Sequence, residues 1–186
     1  MVLAGSLEGI KSDSLLLLLT MKASYAAGDI RMRADTVTYQ ATMSSWARTG
    51  RKDAADWSVA LLDEMENLWK AGNRDAGPSW AAYNAALNAL SKSVTENSAR
   101  GAESLLLRME ELFRSGDDGY GDMRPDAISY TSVMNAWAGC GSRAAPQRAK
   151  HILSYMRDLR NARNAAVGPD TVAYITALKA WALCGE

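Results

Sequence analysis

The sequence predicts an all-α fold, an α-solenoid of antiparallel helix-turn-helix units stacked in one row. Three observations predict it. Four similar segments, 34–39, 78–83, 125–130 and 169–174, place tyrosines 39, 83, 130 and 174 at intervals of 44, 47 and 44 residues. A fixed period in this range marks supersecondary units that cannot bury their apolar faces alone. Apolar residues follow each tyrosine at helical intervals with no alternating strand pattern, and glycine usually stands where the first helix of each unit should stop.

Counting forward from each tyrosine assigns the elements in order. Position +4 holds Met43, Leu87, Met134 and Leu178, and +7 holds Trp46, Leu90, Trp137 and Trp181. With the tyrosine itself these lie on one face of a helix of 3.6 residues per turn, helix A of each unit. Position +11 holds Gly50, Val94, Gly141 and Gly185, so helix A is expected to end there. A second stripe follows: Leu61-Leu62, Leu105-Leu106 and Ile152-Leu153 at +22 and +23, then Met65, Met109 and Met156 at +26, and Leu68, Leu112 and Leu159 at +29. This is helix B, and Pro146 suits its first turn in the third complete unit.

Stepping one period back from Tyr39 predicts leucines near 17 and 18, methionine near 21 and glycine near 28; Leu17, Leu18, Met21 and Gly28 stand there. The apolar run 15–19 is therefore helix B of a partial unit. The expected divisions of a single array, residues 1–186, are a partial unit 1–34, units 35–78, 79–125 and 126–169, and a partial unit 170–186. Beginning and ending in mid-unit, the sequence reads as a piece of a longer array. The three extra residues of the 47-residue interval fall at 117–122, a polar glycine-rich loop.

Composition narrows the function. Lys and Arg total 21, as do Asp and Glu, so the net charge is zero and the strongest case for non-specific adhesion to nucleic acid or membrane is gone. The five-leucine run is far shorter than the roughly 20 apolar residues a membrane helix needs, so no membrane partner is expected. Two cysteines make no disulfide framework. Both sit at +10, in equivalent helices that must lie about 10 Å apart, beyond the roughly 7 Å Cα reach of a disulfide. They read as structural thiols. One histidine, His151, excludes a multi-histidine metal site, and the acidic run near Asp117 lacks the ligand alternation of a calcium loop. No phosphate loop, nucleophile elbow or paired-cysteine motif occurs, so neither enzyme activity nor a cofactor is expected.

The run Pro-Asp-x-x-x-Tyr at the start of helix A, the glycine eleven residues later, and the helix B endings (Leu-Leu-Asp-Glu-Met65 before Gly72, Leu-Leu-Arg-Met109 before Gly116) together resemble the pentatricopeptide repeat family from about residue 15 to 186. The units depart from that family in length, about 44 residues against about 34 in the related helical-hairpin class, which fits a longer helix B and longer loops. The resemblance implies a right-handed superhelix binding single-stranded RNA one base per unit. It implies organellar RNA processing, stability or translation in a mitochondrion or plastid, without catalysis and alongside RNA-processing proteins. Carried over, the base-edge readers are Gln40, Asn84, Thr131 and, in the last partial unit, Ile175. Each is completed by the residue four before the next tyrosine: Ser79 for Gln40, Asp126 for Asn84, Asp170 for Thr131. Asp35 holds the same place ahead of Tyr39. Val37, Ala81, Ile128 and Val172 are the residues that wedge between bases. Asn84 with Asp126 resembles a uracil-preferring pair and Thr131 with Asp170 a guanine-preferring one. Two other functions fit helical-hairpin arrays: a protein-interaction scaffold, or the RNA-guiding part of a larger RNA-processing enzyme.

Each feature also has a plainer reading. Spacing puts the +7 tryptophans and the +26 methionines in the core rather than against bases or metals. The aspartates before helix A are natural N-caps. Glu66 with Lys70 and Glu110 with Arg114 stand at i,i+4 and are expected on exposed faces.

Overall fold

A computed structural model describes residues 13–51, 53–116, 123–161 and 167–184. These residues form eight α-helices and no strand: α1 (Asp13–Ala26), α2 (Thr36–Thr49), α3 (Ala54–Lys70), α4 (Trp80–Lys92), α5 (Glu96–Ser115), α6 (Ala127–Gly139), α7 (Ala145–Asn161) and α8 (Thr171–Cys184). Single 3₁₀ turns precede α2 and α4. The all-α class expected from the sequence is what the chain adopts. Helices α2, α4, α6 and α8 are the A helices and α1, α3, α5 and α7 the B helices. The polar loop expected at 117–122 lies outside the described residues.

Local chemistry sets the boundaries. Asp35, Ser79 and Asp126 are extended N-caps of α2, α4 and α6, and their side chains accept the backbone N–H of Thr38 (2.8 Å), Ala82 (3.2 Å) and Ser129 (2.9 Å). Asp170 accepts from Ala173 (2.8 Å) in the same way ahead of α8. Helix A thus starts three residues before each tyrosine. Gly50, Gly72 and Gly141 follow α2, α3 and α6 with φ of 65°, 92° and 63°, a left-handed turn that glycine enters without a Cβ clash. Val94 occupies the equivalent place after α4, and there the exit differs: Ser93 is extended (φ −86°, ψ 108°) and Thr95 caps α5. A β-branched residue is excluded from the left-handed region, so the chain leaves one residue earlier.

Consecutive A helices pack directly on one another, α2 on α4, α4 on α6 and α6 on α8. Each of α3, α5 and α7 lies against its own A helix and the next one. The core runs through all these contacts. Tyr39, Tyr83 and Tyr130, the +4 residues Met43, Leu87 and Met134, the tryptophans Trp46 and Trp137, and the methionines Met65, Met109 and Met156 are all buried. Each large apolar side chain withdrawn in this way contributes about 1.5–3 kcal/mol. The +29 leucines 68, 112 and 159 are only partly covered.

The two ends depart from the pattern. Leu17 is 64% exposed although its counterparts Leu61, Leu105 and Ile152 are buried. Among the helices α1 packs substantially only on α2, whereas the other B helices each meet two A helices. Leu178 is 66% exposed at the position where Met43, Leu87 and Met134 are buried, because α8 packs only on α6 and α7. Trp181 is half-buried for the same reason.

Glu66 and Glu110 overturn the expectation of exposed ion-pair decoration: both carboxylates are buried. Each accepts a hydrogen bond from the tyrosine hydroxyl of the next unit, Tyr83 on Glu66 and Tyr130 on Glu110 (2.7 Å). Lys70 and Arg114 stay near them from i+4, but the carboxylate itself points into the contact between units. A buried carboxylate needs partners, and the tyrosine hydroxyl supplies one without an added charge. The same positions recur at all three contacts with different chemistry. Lys22 pairs with Glu64, which also accepts from Tyr39 (2.9 Å); Glu66 pairs with Arg108; Glu110 accepts from Tyr155 (3.3 Å). Lys22, Glu66 and Glu110 share one register position, and Glu64, Arg108 and Tyr155 share another.

Candidate nucleic-acid interface

The residues predicted to read bases all lie at the N-terminal halves of the A helices, where consecutive A helices touch. The structure brings one predicted set together fully. Thr131 and Ile128 on α6, with Val172 on α8 and Asp170 capping it, line a single cavity of about 240 Å³ shared with Ser132 and Asn135. Thr131 is 8% exposed. Asp170 has one carboxylate oxygen on the Ala173 N–H, which capping explains by itself.

The other pairs are joined differently. Gln40 donates from its side-chain amide to the Ser79 hydroxyl, so this pair is in direct contact while Ser79 also caps α4. Asn84 and Asp126 are connected through Ser129, whose hydroxyl lies 2.8 Å from Asn84 Oδ1 and 3.0 Å from Asp126 Oδ1. Asn84 Nδ2 is buried and has no acceptor among the described residues. An unmatched buried amide donor costs about 1–3 kcal/mol.

Of the predicted wedges, Val37, Ile128 and Val172 are exposed at 68%, 61% and 54%, while Ala81 is half-buried. Val37 lines a second, shallower cavity of about 440 Å³ with Asp35 and the Arg33–Asp75 ion pair. Thr38 donates its hydroxyl to Asp35 and, with the backbone N–H, holds that carboxyl below the usual carboxylate range. Ile175 lies exposed on α8.

Sequence reasoning passed over a second polar row. Residues one turn beyond the readers, at +5 from each tyrosine, are Ser44, Asn88, Asn135 and Lys179, and the i,i+4 spacing from +1 was the available signal. Ser44, Asn88 and Lys179 are exposed and Asn135 half-buried. Asn135 accepts weakly from Thr176 of α8 (3.4 Å). Ser129 was legible too: Asp126-x-x-Ser129 forms a reciprocal capping box.

Among the described residues no cluster of His, Cys, Asp or Glu is placed to hold a metal, and no helix is long and apolar enough to cross a membrane. Cys140 and Cys184 are both free thiols. The chain matches no known protein family model, and no curated protein or solved structure is significantly similar to it.

Proposed function

We propose that the chain is a pentatricopeptide-type α-solenoid, a right-handed superhelix that binds single-stranded RNA without catalysis and serves organellar RNA processing, stability or translation. The observation that supports this reading best is the cavity between α6 and α8. A base needs apolar surface for its faces and polar groups for its edge, and Ile128 and Val172 supply the first while Thr131 and Asp170 supply the second. The exposed Val37 continues the apolar series two units away.

The proposed readout is U at the Asn84 unit followed by G at the Thr131 unit, running 5′ to 3′ with the chain. Fluorescence anisotropy with labelled RNA oligomers tests it: sites containing UG should bind tighter than matched CA sites, and Asn84→Ala and Thr131→Ala should each erode that preference. Equal binding of all oligomers, or none, would sink the reading. With zero net charge the affinity should also fall only gently with salt, since few phosphate charges are neutralised.

A second reading, a protein-interaction scaffold, draws support from Gln40 and Ser79, which satisfy each other, and from the burial of Thr131. Under it the same two substitutions would leave a polypeptide partner bound.

A further inference from the structure

The three contacts between units offer an internal comparison. At the α3–α5 contact, Arg108 reaches across from α5, and its guanidinium bonds Asp63 (2.9 Å) and the buried Glu66 of α3. At the α5–α7 contact the register places Tyr155 where Arg108 stood and Leu107 where Asp63 stood. Glu110 keeps the place of Glu66, with its tyrosine and its i+4 cation, but receives no guanidinium from the neighbouring helix among the described residues. What remains is a cleft of about 290 Å³ between α5 and α7, whose surface is mostly apolar: Leu106, Leu107 and Ile152 beside Tyr130 and Tyr155, with Glu103, Glu110, Arg114 and His151 at its polar points.

We propose that this cleft receives an arginine side chain from a partner polypeptide. The internal precedent argues for the chemistry: one unit earlier the carboxylate at this register position, Glu66, accepts a guanidinium from the neighbouring helix, whereas here Tyr155 holds that place and bonds Glu110 through its hydroxyl. The stem of an arginine is apolar, matching Leu106, Leu107 and Ile152. Tyr155 offers an aromatic face for the planar head. Among the described residues Glu110 accepts from Tyr130 (2.7 Å), Arg114 (3.1 Å) and Tyr155 (3.3 Å), against about four acceptor sites on a carboxylate. Glu103 accepts from Arg148 (3.1 Å) through one oxygen only. Arg114 already gives Glu110 one guanidinium hydrogen bond (3.1 Å), closer than Lys70 stands to Glu66 (3.8 Å), so an incoming arginine would be a second cation beside Glu110. The cleft is lined by α5, α7 and Tyr130 of α6 and contains none of the predicted base-reading residues, so this inference is independent of the RNA reading.

The test is titration of the folded 186-residue chain with a short flexible peptide carrying one central arginine, and with matched lysine and citrulline peptides, followed by methyl and amide NMR. Saturable shifts at Leu106, Leu107 and Ile152 with the arginine peptide, at least tenfold weaker for citrulline, are expected. The variant Tyr155→Arg with Leu107→Asp rebuilds the α3–α5 arrangement and should abolish the shifts. Glu103→Gln, at the rim, should weaken them severalfold even if the double variant does not fold. Citrulline binding as well as arginine, shifts mapping elsewhere, or unchanged binding by Glu103→Gln would overturn the proposal, as would displacement by RNA rather than by arginine peptides.

Discussion

Arg108 shows how much one side chain decides at the contacts between units. Its guanidinium meets the buried Glu66 carboxylate, which also holds the Tyr83 hydroxyl. Removing Arg108 takes a charged donor from the buried Glu66 and leaves it, among the described residues, only Lys70 and the Tyr83 hydroxyl, so Arg108→Met should cost about 1.5–3 kcal/mol in urea unfolding. The double variant Arg108→Met with Glu66→Gln should recover part of that loss, and a double-mutant cycle measures the coupling. The tyrosines make a pH prediction. Burial first, then the neighbouring carboxylate, raises the hydroxyl pKa of Tyr39, Tyr83 and Tyr130 well above its ordinary value of about 10. Above pH 10 the unfolded chain loses these protons and the folded chain keeps them. Their contribution is therefore complete below pH 10 and is lost as pH rises, by about 1.4 kcal/mol per pH unit for each tyrosine. Phenolate absorbance should titrate in two steps, the late step coinciding with loss of helical circular dichroism; one step near pH 10 with helix retained would contradict it.

At the scale of the element, two glycines make opposite predictions. Gly72 ends α3 at φ 92°, and no atom lies within 4 Å of an added Cβ, so backbone strain alone is at stake. Gly72→Ala should destabilise by about 1 kcal/mol. Gly101 sits inside α5, where an added Cβ would meet only Leu90 at 3.6 Å, an ordinary contact. Gly101→Ala should therefore stabilise by about 0.5–1 kcal/mol. Thermal unfolding of the two variants distinguishes a cap glycine from an interior one. Gly77 belongs to neither class: a Cβ there would sit 2.5 Å from the Trp69 ring, which Arg74 covers from 4.2 Å. The close approach of chain to ring is a tertiary fact, and no local pattern around Gly77 announced it.

Across the whole molecule, stability should follow the number of helical neighbours. Among the described residues, the A helices α4 and α6 pack on helices to either side, whereas α1 meets essentially α2 alone and α8 leaves Tyr174, Ile175 and Leu178 open. Nearest-neighbour stacking makes such ends the first to open. Hydrogen exchange should be fastest in α1 and α8 and slowest in α4 and α6, and uniform protection along the chain would refute the gradient.

Much of this was legible in one sequence because the chain repeats itself. The tyrosine period, the +4 and +26 stripes and the left-handed glycines are local periodicities, and helical geometry alone turns them into hairpins with one apolar face each. The start of every A helix was written in Asp35, Ser79, Asp126 and Asp170, since a capping side chain needs only the three residues after it. Glu66 and Glu110 were not legible. Their i+4 cations suggested exposed faces, and only the packing of one unit on the next buried them against Tyr83 and Tyr130. The same packing decided which of the predicted reader pairs meet directly, which are bridged by Ser129, and that a cleft opens between α5 and α7. Periodicity determines what each helix turns inward. The burial of a charge, and the space left beside it, depend on residues from neighbouring units, about twenty positions away for the tyrosines and more than forty for Arg108 and Tyr155, and those contacts exist only once the units have packed together.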